Sequence, residues 1–375
     1  MSGVEVVRGL AGADAPRELV DLGWSSATAA GWSTLAEPTL RPGRVMTEER
    51  GVVHVMTATG PVVATLAGRL RHASEGDVDV LLPAVGDWVG LADAGPGTAV
   101  VQAVLPRSSA IVRRSPTDRS LPTQVLASNV DVAFVVMSLN ADFNLRRLER
   151  YVAVAWESGA LPVVLLSKAD LTEDPDGMRV AAEATAPGVE VIPVSAVTGK
   201  GIEAVRAHLG PGRTVVFIGS SGVGKSSLIN ALAGSELLAT ASIREDDARG
   251  RHTTTRRQLV RLVDGLVIDT PGLRELGLTD GEGLADTFGD VDTVASDCRF
   301  SDCRHASEPG CAVRAALADG SLDAGRFSAF QKLEREAHRA ELAGNAVARR
   351  AERKKWTAMI RGVERNLALK RGADR

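Results

Sequence analysis

The chain is poor in cysteine and in long apolar runs, and each shortage excludes a class of protein. It has three cysteines among 375 residues, an odd number and too few for a disulfide framework, so we expect a reducing, cytoplasmic location. No apolar run approaches the roughly 18 residues of a membrane-spanning helix, so no membrane partner is expected. The first 19 residues carry Glu5, Asp14 and Glu18 and lack an apolar segment, which argues against a secretory signal.

The net charge is small, but basic and acidic residues are unevenly distributed along the chain. Lys and Arg number 44 against 47 Asp and Glu, and a net charge of −3 by itself argues against a nucleic-acid partner. Residues 326–375, however, contain 14 basic and 6 acidic side chains, which gives +8 there and leaves −11 for the rest. Such a basic segment binds phosphate backbones by counterion release. The alternative is a solvated helical face without a partner.

The pattern of elements predicts a multidomain protein. Short strands separated by Gly, Pro and Asp over residues 44–112 predict a small β-barrel, and residues 113–128 read as a linker. Buried strands alternating with helices over residues 129–280 predict an α/β domain with a mostly parallel sheet. Residues 281–375 contain all the cysteines and predict a mostly helical domain. Residues 1–43 are an N-terminal extension that the sequence does not place.

A phosphate-binding loop follows the apolar strand at residues 215–218. The motif is G-x-x-x-x-G-K-S and a helix follows it, which is the context that the motif requires. Its glycines let successive backbone N–H groups face phosphate oxygens, and the helix N-terminus adds partial positive charge. We expect Lys225 to reach the β- and γ-phosphates and Ser226 to ligate Mg²⁺. The predicted phosphate-binding residues are Gly219, Ser221, Gly222, Val223, Gly224, Lys225, Ser226 and Ser227.

An acidic residue ends another apolar strand and is a candidate for binding Mg²⁺. Residues 266–268 lead into Asp269, and the turn Thr270-Pro271-Gly272 follows. This arrangement predicts that Asp269 lies near Mg²⁺, directly or through a water molecule, and that the N–H of Gly272 lies near the γ-phosphate. On its own the pattern is also that of an ordinary strand and turn, but the phosphate loop upstream favours the functional interpretation.

The segment Ser167-Lys168-Ala169-Asp170 predicts a guanine site after the buried strand at residues 163–166. A carboxylate accepts hydrogen bonds from guanine N1–H and the N2 amine, which adenine lacks, so Asp170 favours guanine. The stem of Lys168 covers one face of the base, and Ser195-Ala196 offers a backbone N–H to the guanine O6. Most GTPases have Asn where Ser167 stands. Because Ser is shorter, we expect fewer bonds to the phosphate loop and an effect on nucleotide affinity.

The order of these motifs is unusual. Asp170 precedes Lys225, whereas ordinary GTPases of this fold place the phosphate loop first. The same sheet can form if the old termini are joined and new ones opened, because the termini of compact domains often lie close together. The order therefore predicts a circularly permuted GTPase.

Together these motifs resemble the ribosome small-subunit-dependent GTPase A family (RsgA, also called YjeQ) over roughly residues 44–340. The resemblance is carried by residues 82–89, 124, 129–131, 143–144, 222–227, 250–255 and 269–273. It implies an OB-fold barrel, a circularly permuted P-loop GTPase domain and a zinc-containing, mostly helical C-terminal domain. It also implies a role in late maturation of the small ribosomal subunit, with GTP hydrolysis stimulated by that subunit. Ser167 and the N-terminal segment depart from the family pattern.

Hydrolysis needs a group that orients the attacking water. Many GTPases use a Gln where this chain has Leu273, which cannot hydrogen-bond water, so slow intrinsic turnover is expected. His252 is the predicted catalytic residue, because a neutral imidazole can orient water. The alternative is that His252 contacts phosphate, RNA or a loop backbone. By resemblance, Thr254 closes on Mg²⁺ when GTP is bound.

The three cysteines and one histidine have the spacing of a metal site. Cys298, Cys303, His305 and Cys311 supply three thiolates and one imidazole, a closed set that is typical of a structural zinc ion. The alternative is three buried free cysteines. Since this region has few apolar strands, we expect zinc to contribute much of its folding energy.

The leading interpretation is a monomeric GTPase that binds the small ribosomal subunit and its rRNA. The barrel has few aromatic residues, so shape and phosphate contacts are favoured over base stacking. One alternative is a GTP-dependent rRNA placeholder in which hydrolysis only times release. Another is a metabolic ATPase or a small-molecule kinase, against which Asp170 argues.

Overall fold

The computed structural model describes residues 15–35, 37, 39–49, 51–73, 82–113, 124–140, 143–238, 257–269 and 282–344. Within these ranges a barrel, an α/β domain and a group of C-terminal helices follow one another along the chain. None of the described helices is long and apolar enough to cross a membrane.

Five strands close into the predicted barrel. They are β1 (Arg41–Glu49), β2 (Val52–Thr57), β3 (Gly60–Leu66), β4 (Trp88–Gly95) and β5 (Thr98–Val104), with helix α3 (Gly68–Ala73) before β4. β1 pairs with β2 and β4, β2 pairs with β3, and β5 pairs with β3 and β4. Together these pairings close the five strands into a ring. Sequence reasoning missed β1, because Pro42 and Gly43 do not favour strands. A side chain at Gly43 would meet Val55 and Leu91 of the barrel interior.

The N-terminal segment, which the sequence did not place, is part of the core. Helices α1 (Arg17–Val20) and α2 (Ser26–Ser33) contribute buried Leu19 and Trp32, and the turn between them contributes buried Trp24. The ring of Trp24 lies 4.8 Å from that of Trp88 in the barrel. Trp24 thus makes one edge-to-face contact with Trp32 inside this segment and one with Trp88, which joins the segment to the barrel.

The predicted linker ends earlier than the sequence suggested. Its last five residues form strand β7 (Gln124–Ser128), which pairs antiparallel with β6 (Ala110–Arg113). Leu126 and Ala127 are fully buried, so burial in tertiary structure explains the strand. Residues 114–123 lie outside the described part of the chain.

The α/β domain has a six-stranded sheet that is parallel except at one edge. Its strands are β8 (Val132–Ser138), β9 (Leu161–Ser167), β10 (Glu190–Pro193), β11 (Thr214–Ile218), β12 (Gln258–Arg261) and β13 (Leu266–Asp269). Their order is β10-β9-β8-β11-β13-β12, and only β12 runs antiparallel to its neighbour in the domain. β12 also pairs with β1 at one position, Gln258 with Thr47, so the barrel adjoins the edge of the sheet.

Helices cover both faces of this sheet. The connecting helices are α4 (Leu145–Glu157), α5 (Pro175–Thr185), α6 (Ile202–Arg206) and α7 (Lys225–Ala233). α6 and α7 pack on one hydrophobic cluster, whereas α4 and α5 belong to another that continues into the C-terminal helices. Those helices are α8 (Glu282–Thr287), α9 (Gly289–Ser296), α10 (Ala312–Asp319) and α11 (Ala324–Gly344). Residues 282–344 contain no strand, in agreement with the sequence expectation.

Candidate nucleotide site and metal cluster

The phosphate-loop motif forms a tight turn between β11 and α7. Gly219 lies so close to β8 that a Cβ there would be 2.5 Å from the carbonyl oxygen of Val136. Gly222 and Gly224 have φ values of 79° and 97°, which side-chain-bearing residues rarely adopt. The glycines are therefore required by both space and conformation. The helix α7 begins immediately afterwards, at Lys225.

The Lys225 ammonium lies over this loop. Its Nζ donates hydrogen bonds to the carbonyls of Gly219 at 2.9 Å and Ser220 at 2.7 Å. Asp269 ends the neighbouring strand β13 and is buried. Burial raises the pKa of the Asp269 carboxyl, and the positive charge of Lys225 acts in the opposite direction. A buried anion and a cation thus share one end of the sheet.

The segment 167–170 is bonded to the phosphate loop. Ser167 ends β9, and its Oγ donates a 2.6 Å hydrogen bond to the carbonyl of Val223. The Nζ of Lys168 donates to the carbonyl of Gly222 at 2.8 Å. Short as it is, the Ser167 side chain reaches the loop directly. Asp170 is exposed just beyond, so its carboxylate is accessible to a ligand at this edge.

The turn after β10 contains the two backbone N–H groups predicted to hydrogen-bond guanine O6, those of Ser195 and Ala196. Ser195 is buried, and its Oγ accepts hydrogen bonds from the N–H groups of Val197 and Thr198. Its own N–H donates to the carbonyl of Lys200 at 2.9 Å. Of the two predicted donors, Ser195 is therefore already used inside the turn, and Ala196 is left as the candidate.

The structure brings most of the predicted nucleotide residues to one edge of the sheet. They follow the carboxyl ends of β9, β10, β11 and β13, which is where ligands bind in open α/β sheets. Three predicted residues, His252, Thr254 and Gly272, lie outside the described part of the chain. Ser221, Ser226 and Ser227 lie in the loop and in the first turn of α7.

The three cysteines and His305 form one cluster. Their potential ligand atoms all lie within 4.8 Å of one another. Cys298 Sγ is 3.6 Å from His305 Nδ1 and 3.9 Å from Cys311 Sγ, and His305 Nδ1 is 3.4 Å from Cys311 Sγ. Four ligands about 2.0–2.3 Å from a tetrahedral metal ion would be roughly 3.3–3.8 Å apart. The donor set and its spacing therefore fit a metal ion.

A buried arginine that sequence reasoning missed holds the C-terminal helices in place. Arg326 of α11 donates two hydrogen bonds to Asp290, at 2.6 and 2.7 Å, and one to Glu149 of α4 at 3.2 Å. It also donates to the carbonyls of Thr185 and Thr287. Nothing in the sequence marks Arg326, because it is one of 14 basic residues in a segment that reads as a solvated helix.

Residues 104–279 match the RsgA GTPase family. A protein of Lactiplantibacillus plantarum, named small ribosomal subunit biogenesis GTPase RsgA 2, is 47% identical over 296 residues, or 78% of this chain and 82% of that protein. The chain belongs to the RsgA GTPase family. The family resemblance of the motifs is thereby confirmed, and with it the expectation that the chain is a GTPase.

Further relatives of this RsgA-family chain extend over most of its length. An Opitutus terrae protein, named small ribosomal subunit biogenesis GTPase RsgA, is 45% identical over 356 residues, which cover 92% of this chain and 96% of the relative. The crystal structure of YjeQ from Thermotoga maritima is similar with a TM-score of 0.57 and 26% identity, covering 80% of this chain and 98% of that one. YloQ, described as a circularly permuted GTPase, gives 0.56 at 24% identity, over 80% of this chain and 95% of its own. The predicted circular permutation is confirmed.

Proposed function

We propose that this RsgA-family GTPase binds the small ribosomal subunit and assists its late assembly, hydrolysing GTP to GDP and phosphate with stimulation by the subunit. The names of its relatives support the process. The observation that carries the biochemical part is the convergence of the phosphate loop, Asp269 and the segment 167–170 at one edge of the sheet.

The nucleotide residues divide into three roles. Phosphate is bound by Gly219, Ser221, Gly222, Val223, Gly224, Lys225, Ser226 and Ser227, with the Gly272 N–H near the γ-phosphate. Guanine is bound by Lys168 and Asp170, with the N–H of Ala196 rather than that of Ser195 as donor to O6. Ser167 contributes through the phosphate loop, because its hydroxyl bonds Val223 rather than facing solvent.

Oxygen donors at the same edge suit Mg²⁺. Ser226, Asp269 and Thr254 would hold it, Asp269 directly or through a water molecule. The ion supplies charge neutralisation for the β- and γ-phosphate oxygens. His252 orients the attacking water. Slow intrinsic turnover is expected, because Leu273 cannot take that role.

Cys298, Cys303, His305 and Cys311 would hold one structural zinc ion. Support comes from the ligand spacing and from a set of three thiolates and one imidazole, which leaves no open position for substrate. The chemistry that zinc supplies there is cross-linking of a short loop between α9 and α10. Cys311 additionally caps α10, accepting a hydrogen bond from the N–H of Arg314 at 3.4 Å.

Oligomeric state, location, rRNA contacts and domain limits complete the proposed function. The protein acts as a monomer in the cytoplasm and contacts rRNA through its OB-fold barrel and its basic tail. Relative to the domain limits expected from the sequence, 44–112, 129–280 and 281–375, the barrel begins three residues earlier, with β1, and the linker lies within 113–123. The tail, beyond residue 344, lies outside the described structure.

The deciding experiment is GTP turnover with and without purified small ribosomal subunits. We expect strong stimulation in the wild type, and His252→Ala should retain GTP binding but lose the stimulated rate. His338→Ala, an exposed histidine of α11, is the matched control and should behave as wild type.

Two results would contradict the proposal. Turnover that small subunits do not change would remove the ribosomal role, and an unchanged rate in His252→Ala would remove that residue from catalysis. Competition by ATP as strong as that by GTP would instead favour an ATPase or kinase, since Asp170 is the basis for choosing guanine.

A further inference from the structure

Helix α4 makes hydrogen-bonded ion pairs along one face with residues of the C-terminal helices. Arg146, Glu149 and Arg150 share that face, because residues three and four apart lie on the same side of a helix. Their partners, in or next to α11, are Asp323, Arg326 and Glu336. On the same side, a side chain at Gly283 of α8 would collide with the carbonyl of Ala153, so α4 and α8 are in close backbone contact. Ion pairs and a close backbone approach therefore join α4 to the C-terminal helices.

Another face of the same helix reaches the phosphate loop. Successive residues of a helix are about 100° apart, so Tyr151 lies about 200° around the axis from Glu149. Tyr151 is the one tyrosine of the chain and is 3% exposed. Its hydroxyl oxygen lies 3.5 Å from the Oγ of Ser220, in the phosphate loop. One helix thus contacts both the C-terminal helices and the loop.

The separation of these two hydroxyls makes the contact sensitive to small movements. Strong O–H···O hydrogen bonds are about 2.8 Å long, so the observed 3.5 Å is about 0.7 Å too long. Because hydrogen bonds weaken as they lengthen, the strength of this contact depends on where α4 holds Tyr151 relative to the loop.

We propose that Tyr151 is a positioning residue for the phosphate loop, through which the docking of the C-terminal helices adjusts nucleotide affinity. The inference rests on the proposed nucleotide site. The contact between Tyr151 and Ser220 holds the loop in the shape that receives phosphate. Because this acts on binding in ground state and transition state alike, it changes KM and leaves kcat unchanged.

A double-mutant cycle on the free protein tests the contact. Fluorescent GDP is titrated into wild type, Tyr151→Phe, Ser220→Ala and the double variant. Each single variant is expected to bind roughly two- to three-fold more weakly, which is less than the value of a full hydrogen bond because the contact is long, and the double variant no more weakly than the singles. KM for GTP should rise in the same proportion, with kcat and the melting temperature unchanged. If the losses in the double variant multiply, the contact carries no coupling and the proposal is wrong.

A second cycle tests the route from the C-terminal helices. Arg150→Gln breaks the bond to Glu336 of α11 and should weaken GDP binding about two-fold in the wild-type background and not at all in Tyr151→Phe. Arg179→Gln, which breaks an ion pair within α5, is the matched control and should change nothing. An effect of Arg150→Gln that persists in Tyr151→Phe would overturn the route. Absence of subunit-stimulated hydrolysis would refute the proposed function alone, because these affinities are measured without ribosomes.

Discussion

Two buried arginines, Arg44 and Arg326, each join a flanking region to the α/β domain, and they do so through different partners. Arg44 of the barrel donates to the carbonyls of Leu22, Gly86 and Asn129, so it links the N-terminal helices, the barrel and the start of the α/β domain. Arg326 links α11 to α4 and to the start of α9, through carboxylates as well as carbonyls. Both guanidinium groups also lie over an aromatic ring.

The different partners have opposite electrostatic results. Burial lowers the pKa of Arg44 to about 10, with Asp131 and Asp87 acting in the other direction from a distance. Burial also acts to lower the pKa of Arg326, but Asp290 and Glu149 outweigh it and the pKa is raised. A buried arginine can be held by neutral carbonyls alone. When it is bonded to carboxylates, removing either charged group leaves the other without its partner, which destabilises the fold.

The two arginines also differ in position relative to the nucleotide site. Arg44 bonds Asn129, which precedes β8, at the end of the sheet opposite the phosphate loop. Arg326 bonds Glu149 on α4, the helix whose Tyr151 contacts that loop. The comparison therefore predicts that only the Arg326 side communicates with nucleotide, and the following experiments test it.

Removal of the proposed zinc ion is expected to have the largest effect. Structural zinc contributes about 10 kcal/mol or more to the folding of small domains. Chelation should therefore increase hydrogen exchange in α10 and α11 while α1, α2 and the barrel stay protected. Exchange should return to its original level when zinc is added back. If chelation left exchange in α10 unchanged, the structural role of the cluster would be wrong.

Substitution of Arg326 should have the next largest effect. Arg326→Met leaves Glu149, which is 1% exposed, and Asp290 without this partner, and breaking a buried ion pair costs about 3–5 kcal/mol. Urea denaturation followed in the full chain should show the loss, and GDP affinity should fall with it. Arg314→Met, the same change at an exposed position of α10, is the control and should cost little. An equal loss in the two variants would show that the ion pair contributes nothing specific.

Substitution of Arg44 should cost less. Arg44→Met leaves only neutral carbonyls without a donor, at about 1–3 kcal/mol, and part of that cost is offset because a desolvated charge is removed. GDP affinity should stay at the wild-type value. The same urea measurement applies, with the exposed Arg69→Met as control. If Arg44→Met lost more free energy of unfolding than Arg326→Met, the proposed difference between carbonyl and carboxylate partners would be wrong.

The smallest effect is expected from Asp290→Asn, and it should depend on pH. Burial acts to raise the pKa of Asp290, but the hydrogen bonds and positive charge of Arg326, together with backbone N–H bonds, outweigh it and the pKa falls below its usual 3.8. A lowered carboxyl pKa stabilises the fold above the unfolded value and ceases to do so as pH falls through the folded value. Because Asp290 is 41% exposed, the variant should lose less than about 1 kcal/mol at pH 7. Near pH 3 the difference from wild type should shrink, and a constant difference in melting temperature would contradict the assignment.

Local sequence was sufficient to predict the elements whose chemistry depends on residues adjacent in the chain. The glycines and Lys225 of the phosphate loop, the strand end at Asp269, the segment 167–170 and the spacing of the cysteines are each a local pattern with a local physical cause. The circular permutation also followed from the sequence, because it is a matter of motif order.

Contacts between segments distant in the chain could be seen only in the folded protein. Ser167 reaches the phosphate loop because β9 ends beside it, and the Ser195 N–H is taken by Lys200 within its turn. β1 forms in spite of Pro42 and Gly43, since neighbours on both sides pair with it. Arg44, Arg326 and Tyr151 carry no local pattern at all. Their roles arise from burial next to specific carbonyls, carboxylates and a hydroxyl, and burial is a property of the folded chain.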